Sequence, residues 1–427
     1  MHLLSVHDDG LLVVLGYCHA QDIFRASCSC KRLLKLSMRV EDLRCTGGIS
    51  ERALDFFYKL KHLSIVNAVN LTEERLLKIV CKCPSLISLQ ILRLNLVPGN
   101  DHEDTTATSR ANAVGGDSGK SSALLTPEYD SSFLHQSQTF SMSSLDISRL
   151  YLEGHVFVSF FSDAFLHLQE LTLDSCATIN DGDMTMILTL CSDLSVLHAR
   201  RMFSLKSLAS IRSISPSLTQ VSFQKCSQLQ AFTLGEEILL KQLVDLDLSF
   251  TSITNSSLVS LLNSCPSVAN LDIKQCTAIQ EELLLSSPKI RSINAAMCVH
   301  VKKITLDCPE LATLNILHCF ELSSVSVLSN KLTELDLSML TLLQSVKLKC
   351  PNLTLCLIPG CAKSVVDGVL EENPSLQPRL DGIAVSCVGS PRAKAATTFR
   401  SSNNEQVFEA ERALRERLRN RRSSTIG

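Results

Sequence analysis

The sequence predicts an α/β fold: a solenoid of short stacked repeats, each a strand and a return segment, preceded by a small helical segment. Three observations carry this. The pattern L-x-x-L-x-L recurs and superimposes: Leu243, Leu246 and Leu248; Val268, Leu271 and Ile273; Ile290, Ile293 and Ala295; Leu311, Leu314 and Ile316; Leu332, Leu335 and Leu337; then a degraded copy from Leu353. Copy starts fall at 168, 194, 218, 243, 268, 290, 311, 332 and 353, so the period is 24–26 residues up to 268 and 21–22 beyond it. Cys176, Cys226, Cys276, Cys298, Cys319 and Cys361 recur three residues past the strand core. A self-similar period of this length and spacing is the signature of a leucine-rich-repeat solenoid, or horseshoe. In such an array each copy packs only on its neighbours, so the copies fold as a stack.

Taken in chain order, residues 4–36 carry two helical patterns. Leu11, Leu12, Val14 and Leu15 recur at helical spacing behind Asp8 or Asp9 as N-cap. Gly16 and Cys18-His19-Ala20-Gln21 interrupt them, and Ile23, Ala26, Cys30, Leu33 and Leu34 mark a second helix from Asp22. So small a unit buries little by itself and needs a partner or the adjoining solenoid.

This segment resembles the F-box, a helical motif that docks on the Skp adaptor of cullin-RING ubiquitin ligases. The matching residues are Asp9 ahead of Leu11-Leu12, Leu15-x-Tyr17, Asp22-Ile23, and Ala26-Ser27 leading to Cys30-Lys31-Arg32. Three departures stand out: Val6-His7 replaces the usual Leu-Pro, Cys18 replaces a common Leu, and no Trp follows Arg32. The resemblance implies that Leu11, Leu12, Leu15, Ile23, Ala26 and Cys30 contact the adaptor. A plain helical cap over the open end of the stack reads from the same residues.

Repeats begin directly afterwards. Ser50 caps a helix with Ala53, Leu54 and Phe57, Leu60-x-x-Leu63-x-Ile65 is a strand, Thr72 caps a helix through Val80, and Leu86-x-x-Leu89-x-Ile91 is the next strand. The divisions are therefore 1–39 for the helical segment, 40–96 for the first repeats, 97–142 for an insert, 143–388 for the main solenoid and 389–427 for a polar tail. The insert runs through Pro98-Gly99-Asn100 and Gly115-Gly116 with many serines. Its apolar residues are too sparse to offset the ~1–2 kcal/mol that ordering each residue costs, so a disordered loop is expected.

In the main solenoid, the longer copies leave room for return helices at Asp181–Leu190, with Met184, Ile187 and Leu188, and at Asn255–Asn263, with Leu258, Leu261 and Leu262. The shorter copies read Val301-x-x-Ile304-x-Leu306, Leu322-x-x-Val325-x-Val327 and Leu343-x-x-Val346-x-Leu348, and Leu229-x-x-Phe232-x-Leu234 shows the same pattern earlier. Alternation with β-branched residues predicts a second strand there, hence a flattened C-terminal half with strands on both faces. The recurrent cysteine reads as a small buried side chain at the turn leaving each strand, since Thr251 and Leu340 take the same place. The Cys-Pro pairs at 265, 308 and 350 mark the return turn, where Pro presets φ. This pattern resembles the cysteine-containing subfamily of leucine-rich repeats, which commonly follows an F-box.

Composition narrows function. Eighteen cysteines without a basic n-region or cleavage site point to reduced thiols in cytosol or nucleus. No apolar run approaches the ~20 residues of a membrane span. Net charge of −2 and the absence of Trp give no pull toward nucleic acid or membrane. Cys28-x-Cys30 and Cys81-x-Cys83 lack a matching pair at finger-like spacing, so no metal site is expected. No Walker loop, Gly-x-Ser-x-Gly elbow or His-Glu-x-x-His occurs, and no enzyme chemistry or cofactor is expected. His198, His300 and His318 read as surface residues near strand ends.

What remains is a binding face. Residues alternating with the core leucines face out on the inner, concave side. They are Glu170, Thr172 and Asp174; Gln220, Ser222 and Gln224; Asp245, Asp247 and Ser249; Asn270, Asp272 and Lys274; Ser292 and Asn294; Thr313, Asn315 and Leu317; Glu334, Asp336 and Ser338. The strip is polar and somewhat acidic, suited to a basic or hydrogen-bonding peptide, and equally to a solvated face. The tail from Gln406 to Arg422 has a narrow stripe of Val407, Ala410, Leu414 and Leu418 among six arginines. It reads as a partner-binding helix, a nuclear-localisation patch, a membrane-surface segment or a helix without a role. The two resemblances imply a substrate-recognition subunit of an SCF-type ligase, partnered by the Skp adaptor, the cullin scaffold and a protein target. A leucine-rich-repeat scaffold outside the ubiquitin system is the alternative.

Overall fold

The computed structural model describes residues 40–46, 59–66, 82–83, 85–92, 142–148, 167–338, 340–358, 363–373, 376–378 and 384–386. The F-box-like segment with Leu11, Leu12, Leu15, Ile23, Ala26 and Cys30 lies outside them. So do the helices expected after Ser50 and Thr72, the insert apart from Met142, Cys361 and the tail. The chain divides into two units, Met1–Cys176 and Ala177–Gly427.

Among the described residues, the first unit holds five parallel strands in register: β1 (Asp42–Thr46), β2 (His62–Val66), β3 (Ser88–Leu92), β4 (Ser144–Asp146) and β5 (Glu170–Thr172). Leucine sits at the same register position in all of them, Leu43, Leu63, Leu89, Leu145 and Leu171, and all five are buried. Period-2 alternation sends the residues between toward solvent.

The second unit opens with α1 (Asp181–Leu190), followed by β6 (Val196–His198), β7 (Ser207–Ile211), β8 (Gln220–Ser222), β9 (Ala231–Leu234), β10 (Asp245–Asp247) and α2 (Asn255–Asn263). Next come β11 (Asn270–Asp272), β12 (Glu281–Ser286), β13 (Ser292–Asn294), β14 (Val301–Asp307), β15 (Thr313–Asn315), β16 (Ser324–Leu328) and β17 (Glu334–Asp336). β18 (Ser345–Lys349), β19 (Leu355–Leu357), α3 (Lys363–Glu372), β20 (Gln377–Pro378) and β21 (Ala384–Ser386) complete it. β6, β8, β10, β11, β13 and β15 form one parallel sheet, and β12, β14, β16 and β18 a second one on the return side. The unit is a parallel β-solenoid with few helices, and strands occur on both faces of its C-terminal half as the alternation predicts.

Both predicted return helices stand at their expected bounds. Asn180 starts α1 through a capping box: its Oδ1 accepts from the Gly182 and Asp183 amides, and Asp183 accepts from the Asn180 amide. Thr254 caps α2. Met184, Ile187 and Leu188 are buried on α1, and Leu258 and Leu261 on α2. Leu262 is only half-buried; Ser257, earlier on the helix, is buried and adds little bulk. Its hydroxyl accepts from the Phe232 amide at 3.0 Å. Copy length alone does not select a helix: the copies starting at 194 and 218 are long yet carry β7 and β9, which pair with each other.

The first residue of each helix ties it to the next return strand. Asp181 accepts from the amides of Lys206 at 2.7 Å and Ser207 at 3.1 Å. Asn255, at the equivalent place, donates from Nδ2 to the Gln280 and Glu282 carbonyls and accepts from the Gln280 amide at 2.9 Å. It thereby splices helix-bearing copies onto strand-bearing ones. Asn255→Ala removes three hydrogen bonds at this junction and is expected to cost about 2 kcal/mol, measured as a shift in the urea midpoint with unchanged slope.

The turn geometry accounts for the recurrent cysteine. Each turn residue before the cysteine position has a left-handed backbone: Ser175, Arg201, Lys225, Phe250, Gln275, Met297 and His318 have φ between 56° and 63°. The thiol then points inward and donates to the last strand-core carbonyl of the preceding copy: Cys226 to Ala199 at 3.0 Å, Cys276 to Leu248 at 3.1 Å, Cys298 to Ile273 at 3.2 Å and Cys319 to Ala295 at 3.2 Å. Thr251, which stands in the same place, donates to the Leu248 carbonyl at 2.7 Å. The described cysteines are all buried and form no disulfides among themselves. At the Cys-Pro turns the carbonyls of Cys265, Cys308 and Cys350 accept from the amides of Val268, Leu311 and Leu353.

β1, β7, β12, α3, β20 and β21 have no counterpart in the predicted pattern. β12 follows a degenerate Leu run, α3 packs on β18 after the last copy, and β21 pairs antiparallel with both β19 and β20. The antiparallel pair supplies hydrogen bonds to β19 that an open strand edge would leave unmade.

Candidate functional site

Register turns the repeat into rows. In the second unit, Gln220, Asp245, Asn270, Ser292 and Thr313 align across β8, β10, β11, β13 and β15. Two residues on, Ser222, Asp247, Asp272, Asn294 and Asn315 form a parallel row, with His198 of β6 beside Ser222. The leucine row between them is buried, so both polar rows lie on the other side of the sheet.

These rows enclose a groove of about 370 Å³. Of the predicted residues, Gln220, Asp245, Asp247, Asn270, Asp272 and Asn294 line it, together with His198 and Arg200. Gln224, Lys274, Asn315 and Asp336 lie outside its lining. Glu170 and Thr172 belong to the first unit and line a separate groove of about 470 Å³ with Arg44, His62, Ser64, Gln90 and Asp146. Asp174 follows β5 on that unit, outside the lining. The residues of this first groove follow the same alternation applied to the strands at Leu63 and Leu89. There Ser64 donates to Gln90 at 2.9 Å and Gln90 to Asp146 at 3.1 Å, one side chain per strand.

Asp245, Asp247, Asp272 and Asp336 of the second unit's strip are engaged within the protein. Asp247 Oδ1 accepts from the Ser249 amide at 2.9 Å and hydroxyl at 2.6 Å, and its Oδ2 accepts from Ser222 at 3.1 Å. Asp272 accepts from the Lys274 amide and from Asn294, both at 2.9 Å. Burial pushes the Asp272 carboxyl up, partly offset by these two donors. Asp245 accepts from Asn270 at 2.5 Å. Asn315 accepts from the Leu317 amide at 3.2 Å, and Asp336 from the amide and hydroxyl of Ser338. The side chain closing each strand thus caps the turn two residues later. Ser222, Ser249 and Ser338, expected to face out, are buried for this reason: their hydroxyls donate to these aspartates.

A further row was not singled out by sequence. It consists of the left-handed residues Arg201, Lys225, Phe250 and Gln275, whose amides donate to the next copy at 2.7–2.8 Å. Lys225 and Lys274 place their ammonium groups 5.5 Å and 5.7 Å from the centre of the Phe250 ring. Arg200-Arg201, directly ahead of Met202 in the cysteine position, is the signal that would have found it.

The buried thiols are poor nucleophiles. Burial pushes Cys276, Cys319 and Cys350 up to about 11, and Cys191 and Cys265 to about 12. Among the described residues, no cluster of three or more His, Cys, Asp or Glu side chains is arranged to hold a metal ion, and no helix is long and apolar enough to cross a membrane.

No family model matches the chain, and no curated protein matches it. Among solved structures, a chain in the crystal structure of the Rad7 and Elc1 complex in yeast is similar to this one, at 16% identity and a TM-score of 0.34. The match covers 86% of this chain and 84% of that one.

Proposed function

We propose that this protein is the target-binding subunit of an SCF-type cullin-RING ubiquitin ligase. In this reading residues 1–39 are an F-box that docks the Skp adaptor, and the stack is a leucine-rich-repeat horseshoe. The chain carries no chemistry of its own: it supplies proximity, holding a target protein while other subunits transfer ubiquitin. The observation that carries the reading is order along one chain: F-box-like residues Leu11-Leu12, Leu15-x-Tyr17 and Asp22-Ile23 stand directly ahead of cysteine-marked repeats. The groove supports it as well. Its side chains are set in rows by parallel strands, an arrangement that displays hydrogen-bonding groups to a protein surface.

Removal of residues 1–38 separates this reading from a scaffold with a helical cap. The truncated chain is expected to keep its circular dichroism spectrum and cooperative melting while ceasing to capture the Skp adaptor from solution. Unfolding on truncation assigns the segment to capping instead.

A further inference from the structure

Cations gather along one row of turns in the second unit. On β14, two lysines are matched with glutamates one copy earlier: Lys302 with Glu281 at 2.8 Å and Lys303 with Glu282 at 2.9 Å. In the first unit Lys61 meets Glu41 at 2.8 Å. Along the turns that leave β6, β8, β10 and β11, the residues are Arg200-Arg201, Gln224-Lys225, Ser249-Phe250 and Lys274-Gln275. Four cations stand there and no carboxylate. Among the described residues, Arg201, Lys225 and Lys274 form no ion pair; the two lysines share one aromatic ring instead. On the strands β10 and β11 that lead into this row, Asp247 and Asp272 already accept hydrogen bonds from backbone amides and neighbouring side chains. This surface therefore carries three cations outside any ion pair, Arg201, Lys225 and Lys274, with the Asp272 carboxylate close enough to Lys274 to feel its charge.

We propose that this turn row, Arg201, Lys225, Phe250 and Lys274, docks an acidic segment of a partner protein, with Asp or Glu side chains against the cations. The proposal rests on the reading of the solenoid as a protein-binding subunit and names the chemistry of what it binds. Adjacent strands place the cations at a pitch of about 4.8 Å, so Arg201 and Lys225 stand one step apart and Lys274 two steps further. A nucleic-acid strand fits less well, because its continuous phosphates would also lie over Asp245, Asp247 and Asp272 in the adjoining groove. A peptide sets acidic side chains on the turn row and neutral or basic ones over the groove.

The test is fluorescence anisotropy with the full-length chain and three probes: an oligoglutamate peptide, an oligolysine peptide of equal length, and an oligothymidylate. Oligoglutamate is expected to bind, to weaken with added salt, and to exceed both other probes by roughly tenfold. Arg201→Ala with Lys225→Ala is expected to weaken it by a similar factor, and Lys225→Gln alone by less. Lys302→Ala with Lys303→Ala, which removes the paired cations, leaves it unchanged. Preference for oligolysine or oligothymidylate, no binding, or binding indifferent to the Arg201 and Lys225 changes overturns the proposal. Adaptor capture measured on the same samples keeps the two readings apart. Captured adaptor without oligoglutamate binding sinks the acidic partner alone, whereas oligoglutamate binding without adaptor sinks the ligase reading alone.

Discussion

Titrated upward from neutral pH, the second unit is expected to unfold cooperatively between about pH 9 and about pH 11. Its buried thiols set this window. Cys276, Cys319 and Cys350 hold their protons up to about 11, and Cys191 and Cys265 up to about 12. An unfolded thiol releases its proton near ~8.5. Above that value the unfolded chain binds fewer protons than the folded one, so stability falls as pH rises. The contribution is whole below the unfolded value and lost as pH climbs through the folded ones. Each such thiol removes about 1.4 kcal/mol per pH unit within the window. A few together rival the ~5–15 kcal/mol that holds an ordinary domain. Circular dichroism against pH reads the transition. Cys276→Thr with Cys319→Thr, which copies the native Thr251 arrangement, is expected to move the midpoint upward, because a hydroxyl does not titrate there. An unmoved midpoint would show that other groups drive alkaline unfolding.

Phe223→Ala is expected to destabilise the second unit by about 3–5 kcal/mol and to lower its melting temperature by roughly 10 °C. Phe223 and Phe232 are both fully buried and meet edge to face, with centroids 5.1 Å apart and planes at 72°. One ring follows β8 and the other lies in β9, so the pair joins the two sides of a single copy. Truncation removes the ring contact and leaves a cavity that close-packed neighbours fill only in part. Phe223→Leu, which keeps most of the volume, is expected to cost about 1 kcal/mol. Equal losses for both variants would mean that the site collapses freely and that the pair does not join the two faces.

The repeat was legible because it rests on short-range periodicity. Leu246, Leu271, Ile293 and Leu314 occupy one register position across four strands, as their spacing requires. The bounds of α1 and α2 were legible because Asn180 and Thr254 are strong caps ahead of helical apolar spacing. β12, α3 and β21 were not. A three-residue strand takes its conformation from neighbours rather than from its own residues, and β21 owes its place to pairing with β19, some thirty residues earlier along the chain.

The binding face was half legible. Alternation correctly put Asp245, Asp247, Asn270 and Asp272 on one side of the sheet, in one groove. It could not show that Asp247 and Asp272 are also held from neighbouring copies, because those donors, Ser222 and Asn294, lie one copy away in sequence. Nor could it show that Lys225 and Lys274 meet over Phe250, which depends on three successive copies adopting the same left-handed turn. Side chains that look alike in sequence thus differ in what they have left to offer a partner.

The most direct test of the ligase reading is calorimetric titration of the intact, folded chain with purified Skp adaptor. The prediction is saturable binding at one adaptor per chain, abolished by Leu11→Asp, Leu12→Asp or Ile23→Asp while melting of the solenoid is unchanged. A folded chain that binds no Skp adaptor, or that binds it equally well with all three substitutions in place, contradicts it.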